Sequence, residues 1–268
     1  MNTQLTVKDY FGKESNKSKF KELLGEKSTS FIASALQVVG GNNALANAEP
    51  KSVFNAVAMA AVLDLPINSN LGFAHVIPYN QSYQENGQWK KKQVAQFQMG
   101  YKGFIQLAIR SGQYQTIGAA AIYDGQLSSY NPLTGHVFDF TKPSKGKIIG
   151  YAAYFKLKDG FEKTLFMDIE EIQAHGKAYS KTYDKANSIW KKNEKGMALK
   201  TVLKLLVSKY GPLSLELQTA VESDQAVVNN YEKNDFTYPD NEQNEPPASV
   251  IDINATIVGN DDDDDEII

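Results

Sequence analysis

One alternating run, with the four residues after it, constrains this chain more than any other feature. In Gln93–Met99, Ala95, Phe97 and Met99 alternate with Val94, Gln96 and Gln98, the period of a strand with one buried face. Gly100-Tyr101-Lys102-Gly103 stops that strand and opens a helix from Phe104 to Arg110, with Phe104, Leu107 and Ala108 on one face. A second β-like run, Leu71–Tyr79, lies upstream. The polar loop between the runs holds Asn86-Gly87 and Lys90-Lys91-Lys92. Strand, basic hairpin, glycine-flanked Tyr-Lys pair and helix present amides, cations and rings together. Amides and cations suit phosphates and base edges, and rings suit stacking.

Around this unit the chain reads as α+β: a small antiparallel sheet with hairpins, packed with several helices, and a disordered acidic C-terminal tail. Residues 1–16 are polar and read as loosely held. Helices are expected over Lys17–Leu24, Ser28–Val39 (ended by Gly40-Gly41) and Pro50–Leu63, where Pro50 suits a first turn. The last should bury a narrow face of Val53, Ala56, Val57 and Ala60. Short strands follow at Tyr114–Tyr123, Val137–Phe140, Ile148–Leu157 and Phe161–Met167, with Lys158-Asp159-Gly160 as a hairpin turn. Asp168 and Glu171 have the spacing of a capping box opening a helix to about Ala178. Lys192–Tyr210 reads as a long helix ended by Gly211-Pro212, with Lys200 and Lys204 on one side. From Val221 order is expected to fade. The division is therefore 1–228, a DNA-binding, annealing and oligomerisation domain, and 229–268, a flexible acidic tail that binds a partner.

Charge separates along the same line. Residues 229–268 carry twelve Asp and Glu against one Lys, leaving 27 Lys and Arg against 19 Asp and Glu in residues 1–228, a net +8. A basic body with an acidic tail suits a polyanion binder, though a solvated surface with a solubilising tail has the same composition. Arg110 is the only arginine. Lysine meets phosphate as a point charge, whereas arginine reads guanine in bidentate fashion, so backbone contact is favoured over sequence readout.

Several chemistries are disfavoured. No GxxxxGK[ST] occurs, so a P-loop strand-exchange motor is not expected. His75, His136 and His175 are far apart and lack metal-ligand spacing. There is no cysteine, and no GxSxG signal for a serine nucleophile. No apolar run reaches the ~18 residues of a membrane span, and no signal-type segment opens the chain, so a cytoplasmic location without membrane contact is expected. The nucleic-acid signals are stronger together than apart. Lys90, Lys91 and Lys92 follow Trp89, with Tyr79 and Tyr83 across the loop. Tyr101-Lys102 sits between glycines, where backbone can approach a ligand. Trp190-Lys191-Lys192 precedes the helix carrying Lys200 and Lys204. Each has a plainer reading: a Trp at a helix start anchors a core, and a Lys triplet marks a hairpin tip.

The segments GFAHVIPY, AQFQMGYKGFIQLAIRSG and Trp190…Met197…Lys200-Thr201 resemble the RecT family of phage single-strand annealing proteins, over about Phe31 to Pro212. The resemblance implies annealing of complementary DNA strands without ATP, rings or helical filaments, and a basic groove. It implies no cofactor, magnesium at most aiding annealing. By the motif matches it adds Arg110, Gln98, Lys200, Thr201, Lys204 and Trp190 to Lys102, Tyr101, Lys90, Lys91, Lys92, Lys191 and Lys192 as nucleic-acid-binding candidates. Leu199 stands where the family often carries a second basic residue. In the family the tail region recruits a phage exonuclease or the host single-strand-binding protein, and DDDDDEII has the look of such a protein's acidic tip. Three readings stay open: an ATP-independent annealing protein, a non-annealing single-strand coat or chaperone, and a nuclease-like enzyme whose site is not visible. A homo-oligomer is expected, with the helices before Pro66 as contact surface.

Overall fold

The computed structural model describes residues 5–186 and 188–239. In chain order the elements are α1 (Val7–Gly12), α2 (Glu14–Leu24), a 3-10 turn at Gly25–Lys27, α3 (Ser28–Gly40), α4 (Asn43–Ala46), α5 (Pro50–Val62), β1 (Ala74–Glu85), β2 (Gln88–Met99) and α6 (Tyr101–Arg110). Then come β3 (Tyr114–Tyr123), β4 (Leu127–Asn131), β5 (Gly135–Phe138), β6 (Ile148–Leu157), β7 (Glu162–Asp168), α7 (Ile169–Tyr179), α8 (Ile189–Lys192), α9 (Glu194–Tyr210), α10 (Leu215–Ser223), β8 (Val227–Asn230) and β9 (Asp235–Thr237). The fold is α+β, with antiparallel pairs β1-β2, β4-β5 and β8-β9 and a three-stranded sheet in the order β3-β6-β7.

Two helices run through the interior. In α5 every residue from Ser52 to Ala61 is buried, so the narrow apolar face expected from the sequence widens to the whole circumference. Four alanines let neighbours approach on all sides. The two polar residues are paired: the Ser52 hydroxyl donates to the Glu49 carbonyl at 2.7 Å and accepts the Ala95 amide at 2.9 Å, and Asn55 donates to the Asn229 carbonyl at 2.6 Å. In α9 every residue from Met197 to Leu203 is buried, including Lys200 and Thr201.

Both ends of the described chain are tied to this interior. The polar N-terminal stretch, read above as loosely held, contains α1, capped by Thr6 and Asp9, with Val7 and Phe11 in the core. Phe11 stacks on Phe20 at 5.8 Å, and Phe20 meets Phe54 of α5 edge-on at 5.2 Å. At the other end, α10 and the β8-β9 hairpin lie where order was expected to fade. Tyr231 is buried, its ring 6.2 Å from Phe54, and Lys19 pairs with Glu232 at 2.7 Å. Residues 229–239 thus belong to the packed body. The remainder of the expected tail, residues 240–268, lies outside the described residues.

The Gly-Tyr-Lys-Gly block has a steric reason. The Gly100 amide donates to the Phe73 carbonyl at 2.9 Å as the chain entering β1 crosses the start of α6. A Cβ at Gly100 would collide with the Gly72 carbonyl oxygen, and one at Gly103 with that of Phe73. The close approach expected there is to the chain itself.

Candidate nucleic-acid interface

The expected polar loop is strand. β1 and β2 pair in unbroken register from Ala74 opposite Met99 to Glu85 opposite Gln88. Only Asn86 (φ 51°) and Gly87 (φ 77°) remain as turn, the two left-handed residues of a tight hairpin. Lys90, Lys91 and Lys92 therefore stand on a two-stranded ribbon, all exposed, beside Trp89, which is 75% exposed. Lys90 pairs with Glu85. Lys92 pairs with Glu49 at 2.8 Å and lies 5.9 Å from the Tyr83 ring centre. Lys91 has no ion pair among the described residues.

At its base the ribbon changes character. From Val94 to Met99 both faces of β2 are buried, so the alternation does not divide core from solvent. One face, with Ala95, Phe97 and Met99, joins the apolar core. The other carries Gln96 and Gln98, the latter opposite His75. The chain at Asp224–Ala226 runs alongside: Phe97 donates to the Ala226 carbonyl at 2.9 Å, Gln96 to that of Gln225, and the Met99 amide to Asp224 Oδ1 at 3.0 Å.

Asp224 is the centre of a buried polar seam. Lys200 Nζ lies 2.7 Å from its Oδ1 and Lys204 Nζ 3.0 Å from its Oδ2. Burial raises the carboxyl's pKa, but the two ammonium groups outweigh it and hold the pKa below the usual value. Burial pushes the Lys200 ammonium down, against the pull of Asp224. Burial, then Lys200, lowers His75. Burial, then Lys204, takes His175 down to about 4. Burial thus holds both imidazoles toward the neutral form, and the side chains of Lys200 and Lys204 share a single carboxylate.

The seam opens into a cavity of ≈ 70 Å³ between α7, α8 and α9, lined by His175, Tyr179, Trp190, Thr201, Lys204 and Asp224 among others. Trp190 is buried, its ring 5.4 Å from Tyr183, and its Nε1–H has no partner among the described residues. A hydrophobic anchor with an unused donor serves both readings of this Trp. Thr201 is buried as well. The cavity thus offers N–H and ammonium donors to an acceptor-rich group such as a phosphate oxygen.

The other candidates divide. Lys102, Lys191 and Lys192 are exposed, and Lys191 lies 5.1 Å from the Tyr183 ring centre. Tyr101 is half-buried against the core. Gln98 is buried and donates weakly to Gln96 at 3.4 Å. Arg110 donates to the carbonyls of Leu63 and Asp64 and lies 3.5 Å from the Asp64 carboxylate, binding the end of α5. Sequence reasoning missed Asp224 and His175. Glu222-Ser223-Asp224 reads as a solvated acidic step, and nothing in spacing links it to a lysine 24 residues earlier. Among the described residues, no three His, Asp or Glu side chains gather to hold a metal, and no helix is long and apolar enough to cross a membrane.

Comparison with known proteins places these features in context. The model of the RecT family matches residues 29–245, past the expected limit at Pro212 and through α10, β8 and β9. The uncharacterized protein YqaK of Bacillus subtilis (strain 168) is 42% identical over 217 residues, 81% of this chain and 71% of that protein. Protein RecT of Escherichia coli (strain K12) is 31% identical over 188 residues, covering 68% of this chain and 65% of that protein.

Proposed function

Because this chain belongs to the RecT family, a family of single-strand annealing proteins of recombination, we propose that it pairs complementary DNA strands without hydrolysing a nucleotide, as an assembly of several copies, in phage recombination. The match over residues 29–245 carries this reading. Two features of the surface support it. The β1-β2 ribbon offers exposed lysines with Trp89 and Tyr83, the mixture that tracks a strand through phosphates and base faces. The Lys204 cavity adds donors for a phosphate oxygen. Lysine contacts bind any sequence alike, as annealing of arbitrary strands requires.

The deciding experiment mixes fluorophore-labelled complementary oligonucleotides with the protein, in EDTA and without ATP. Accelerated pairing is the expected result. Strands that are bound but stay unpaired would favour the coat or chaperone reading. Loss of label in magnesium would favour a nuclease. In our reading magnesium only eases the approach of two phosphate backbones, so EDTA slows pairing without abolishing it.

For residues 240–268 the reading rests on composition. They hold ten Asp and Glu and no cation, nine of the acids flanking the apolar Ser249–Val258 segment and Asp252 within it. Competition with DNA phosphates explains the acids, and recruitment of a partner, an exonuclease or the host single-strand-binding protein, explains the isoleucines. A chain ending at Pro239 should anneal normally and bind DNA more tightly at low salt. Loss of annealing in that chain would refute this use of the tail.

A further inference from the structure

The lysines of the cavity differ from those of the ribbon in depth. On the ribbon the side chains of Lys90 and Lys92 are 47% and 43% exposed. In the cavity those of Lys204 and Lys200 are 16% and 6% exposed, among walls that include Tyr179, Met197 and Leu205. A cation at the surface can follow a passing strand, whose phosphates lie along its outside. A recessed cation is reached only by a group that projects. An internal phosphodiester carries a sugar on either side, so it meets the mouth of a recess with one oxygen. The phosphomonoester at a strand end carries one sugar and can enter with the rest of its oxygens.

Trp190 gives a second, independent sign of a ligand. It is 4% exposed and lines the cavity, yet its Nε1–H has no partner among the described residues. A buried indole N–H usually finds an acceptor, and leaving one unmet destabilises the fold. The ring is held in place from both sides. Ser188, the N-cap of α8, accepts the Lys191 amide at 3.2 Å and donates to the Tyr183 carbonyl at 3.0 Å. Gly176 of α7 lets that helix lie against the pair: a Cβ there would collide with the Tyr183 ring and stand 3.2 Å from the indole Cε2, the atom bonded to Nε1. Gly176 lines the same cavity, so the N–H edge of the indole is at its wall.

Lys204 is able to serve such a ligand. Asp224 is the one acid among the described lining residues, and it keeps Lys200 at 2.7 Å and the Met99 amide at 3.0 Å whether or not Lys204 stays. An ammonium also has more donors than its single bond to Asp224 uses. A phosphomonoester carries about −1.5 to −2 near pH 7, against a single charge for a diester, and competes better with the carboxylate for that ammonium.

We propose that the cavity seats the terminal phosphate of a DNA strand, held by Lys204 and the Trp190 N–H with the Thr201 hydroxyl beside them. The seat rests on the reading of this chain as a single-strand binder, and adds to it a means of telling a phosphorylated end from the interior of a strand. The ribbon takes internal phosphates of the same strand.

The test compares short labelled oligothymidylates of one length, with a 5′-phosphate, a 3′-phosphate or hydroxyls at both ends, on the full chain. Inorganic phosphate and thymidine monophosphate are the free competitors. Anisotropy should show one phosphorylated strand binding about ten-fold tighter than the unphosphorylated one, the effect of an added charge-assisted hydrogen bond. With Trp89→Phe, which leaves Trp190 as the only tryptophan, that strand should also change the emission more than the unphosphorylated one does. Lys204→Met and Trp190→Phe should each remove the preference while altering the unphosphorylated strand by no more than a few-fold. Lys204→Arg keeps a cation on Asp224 and should retain part of the preference, which separates the seat from a loss of fold. The comparison of ends on the wild-type chain stands whether or not a variant folds. Equal affinity for all three strands would overturn the seat, as would a preference that survives both Lys204→Met and Trp190→Phe. Thymidine monophosphate or inorganic phosphate binding as tightly as the strand end would overturn the strand as the source of the phosphate. If no strand bound at all, the single-strand reading would fall and the seat with it.

Discussion

The lysines of β2 and those of α9 look alike in the sequence and behave oppositely in the fold. Lys90 and Lys92 hold surface carboxylates that water can replace, and an exposed pair of this kind contributes ~0–1 kcal/mol. Such a lysine can exchange its carboxylate for a phosphate at little cost. Lys200 is buried on a carboxylate that is itself buried, so removing Asp224 strands the lysine away from water, while removing Lys200 leaves Asp224 to Lys204 alone. The exposed set is therefore free to bind, while Lys200 holds the hairpin base, α9 and the chain before β8 together. Lys204 stands between them, paired with Asp224 yet lining the cavity.

The largest effect that could break this contrast is at Asp224. Asp224→Ala should cost about 3–5 kcal/mol in urea unfolding, the usual penalty for stranding a buried charge. Adding Lys200→Met should restore most of it. A double variant no more stable than the single one would show that Asp224 acts through its bond to the Met99 amide instead. The next effect is on pH. The pKa of His175 is about 4 in the fold, below its ordinary 6.5, so between those values the unfolded chain takes up a proton that the folded one refuses. Stability should fall as pH drops from 6.5 to 4, by up to ~3 kcal/mol from this residue. In His175→Gln that slope should flatten; an unaltered slope would place its origin elsewhere.

On the ribbon the expectation reverses. Replacing Lys90, Lys91 and Lys92 together with Ala should shift stability by no more than about 0.5 kcal/mol. It should reduce the salt dependence of oligonucleotide binding by ~0.7 in log–log slope per lost phosphate contact. A stability loss with no change in slope would make the ribbon structural. The smallest and most discriminating change is Trp190→Phe, which keeps the ring and deletes the unpartnered N–H. Stability should hold or rise by up to about 1 kcal/mol, since a buried unsatisfied donor is removed. Affinity for the oligonucleotide should fall a few-fold. Equal affinity would remove the cavity from the DNA path.

What could be read from the sequence was local. The capping box at the start of α7 forms as spaced, with Glu171 donating to Asp168 at 2.8 Å and Asp168 to Glu171 at 2.9 Å. Strands β3 and β6 fall on their expected residues, because apolar and small residues there match the pleat. The outer ribbon was hidden, since polar side chains on both faces erase the alternation while the Asn86-Gly87 turn still sets the register. The burial of Lys200 was also hidden: helical spacing says which side a residue faces, and nothing about a carboxylate arriving from another element. The packing of residues 229–239 escaped for the same reason, as Tyr231 and Asn229 meet partners on α5. The part of the candidate interface that could be read, its lysines and aromatics, was composition. Its division into exchangeable and locked cations came only from the tertiary arrangement.

The crossing of chain at Gly100 and Gly103 bears on how a motif should be interpreted. Both positions need a hydrogen atom where any other residue has a carbon, because a carbonyl from the incoming strand occupies that space. The four-residue signature is thus the imprint of one strand passing over one helix start. In this chain its two glycines record that crossing, and they say nothing of what the protein does. Evidence for what this chain binds has to come from other residues, such as the lysine–aspartate seam and the open ribbon.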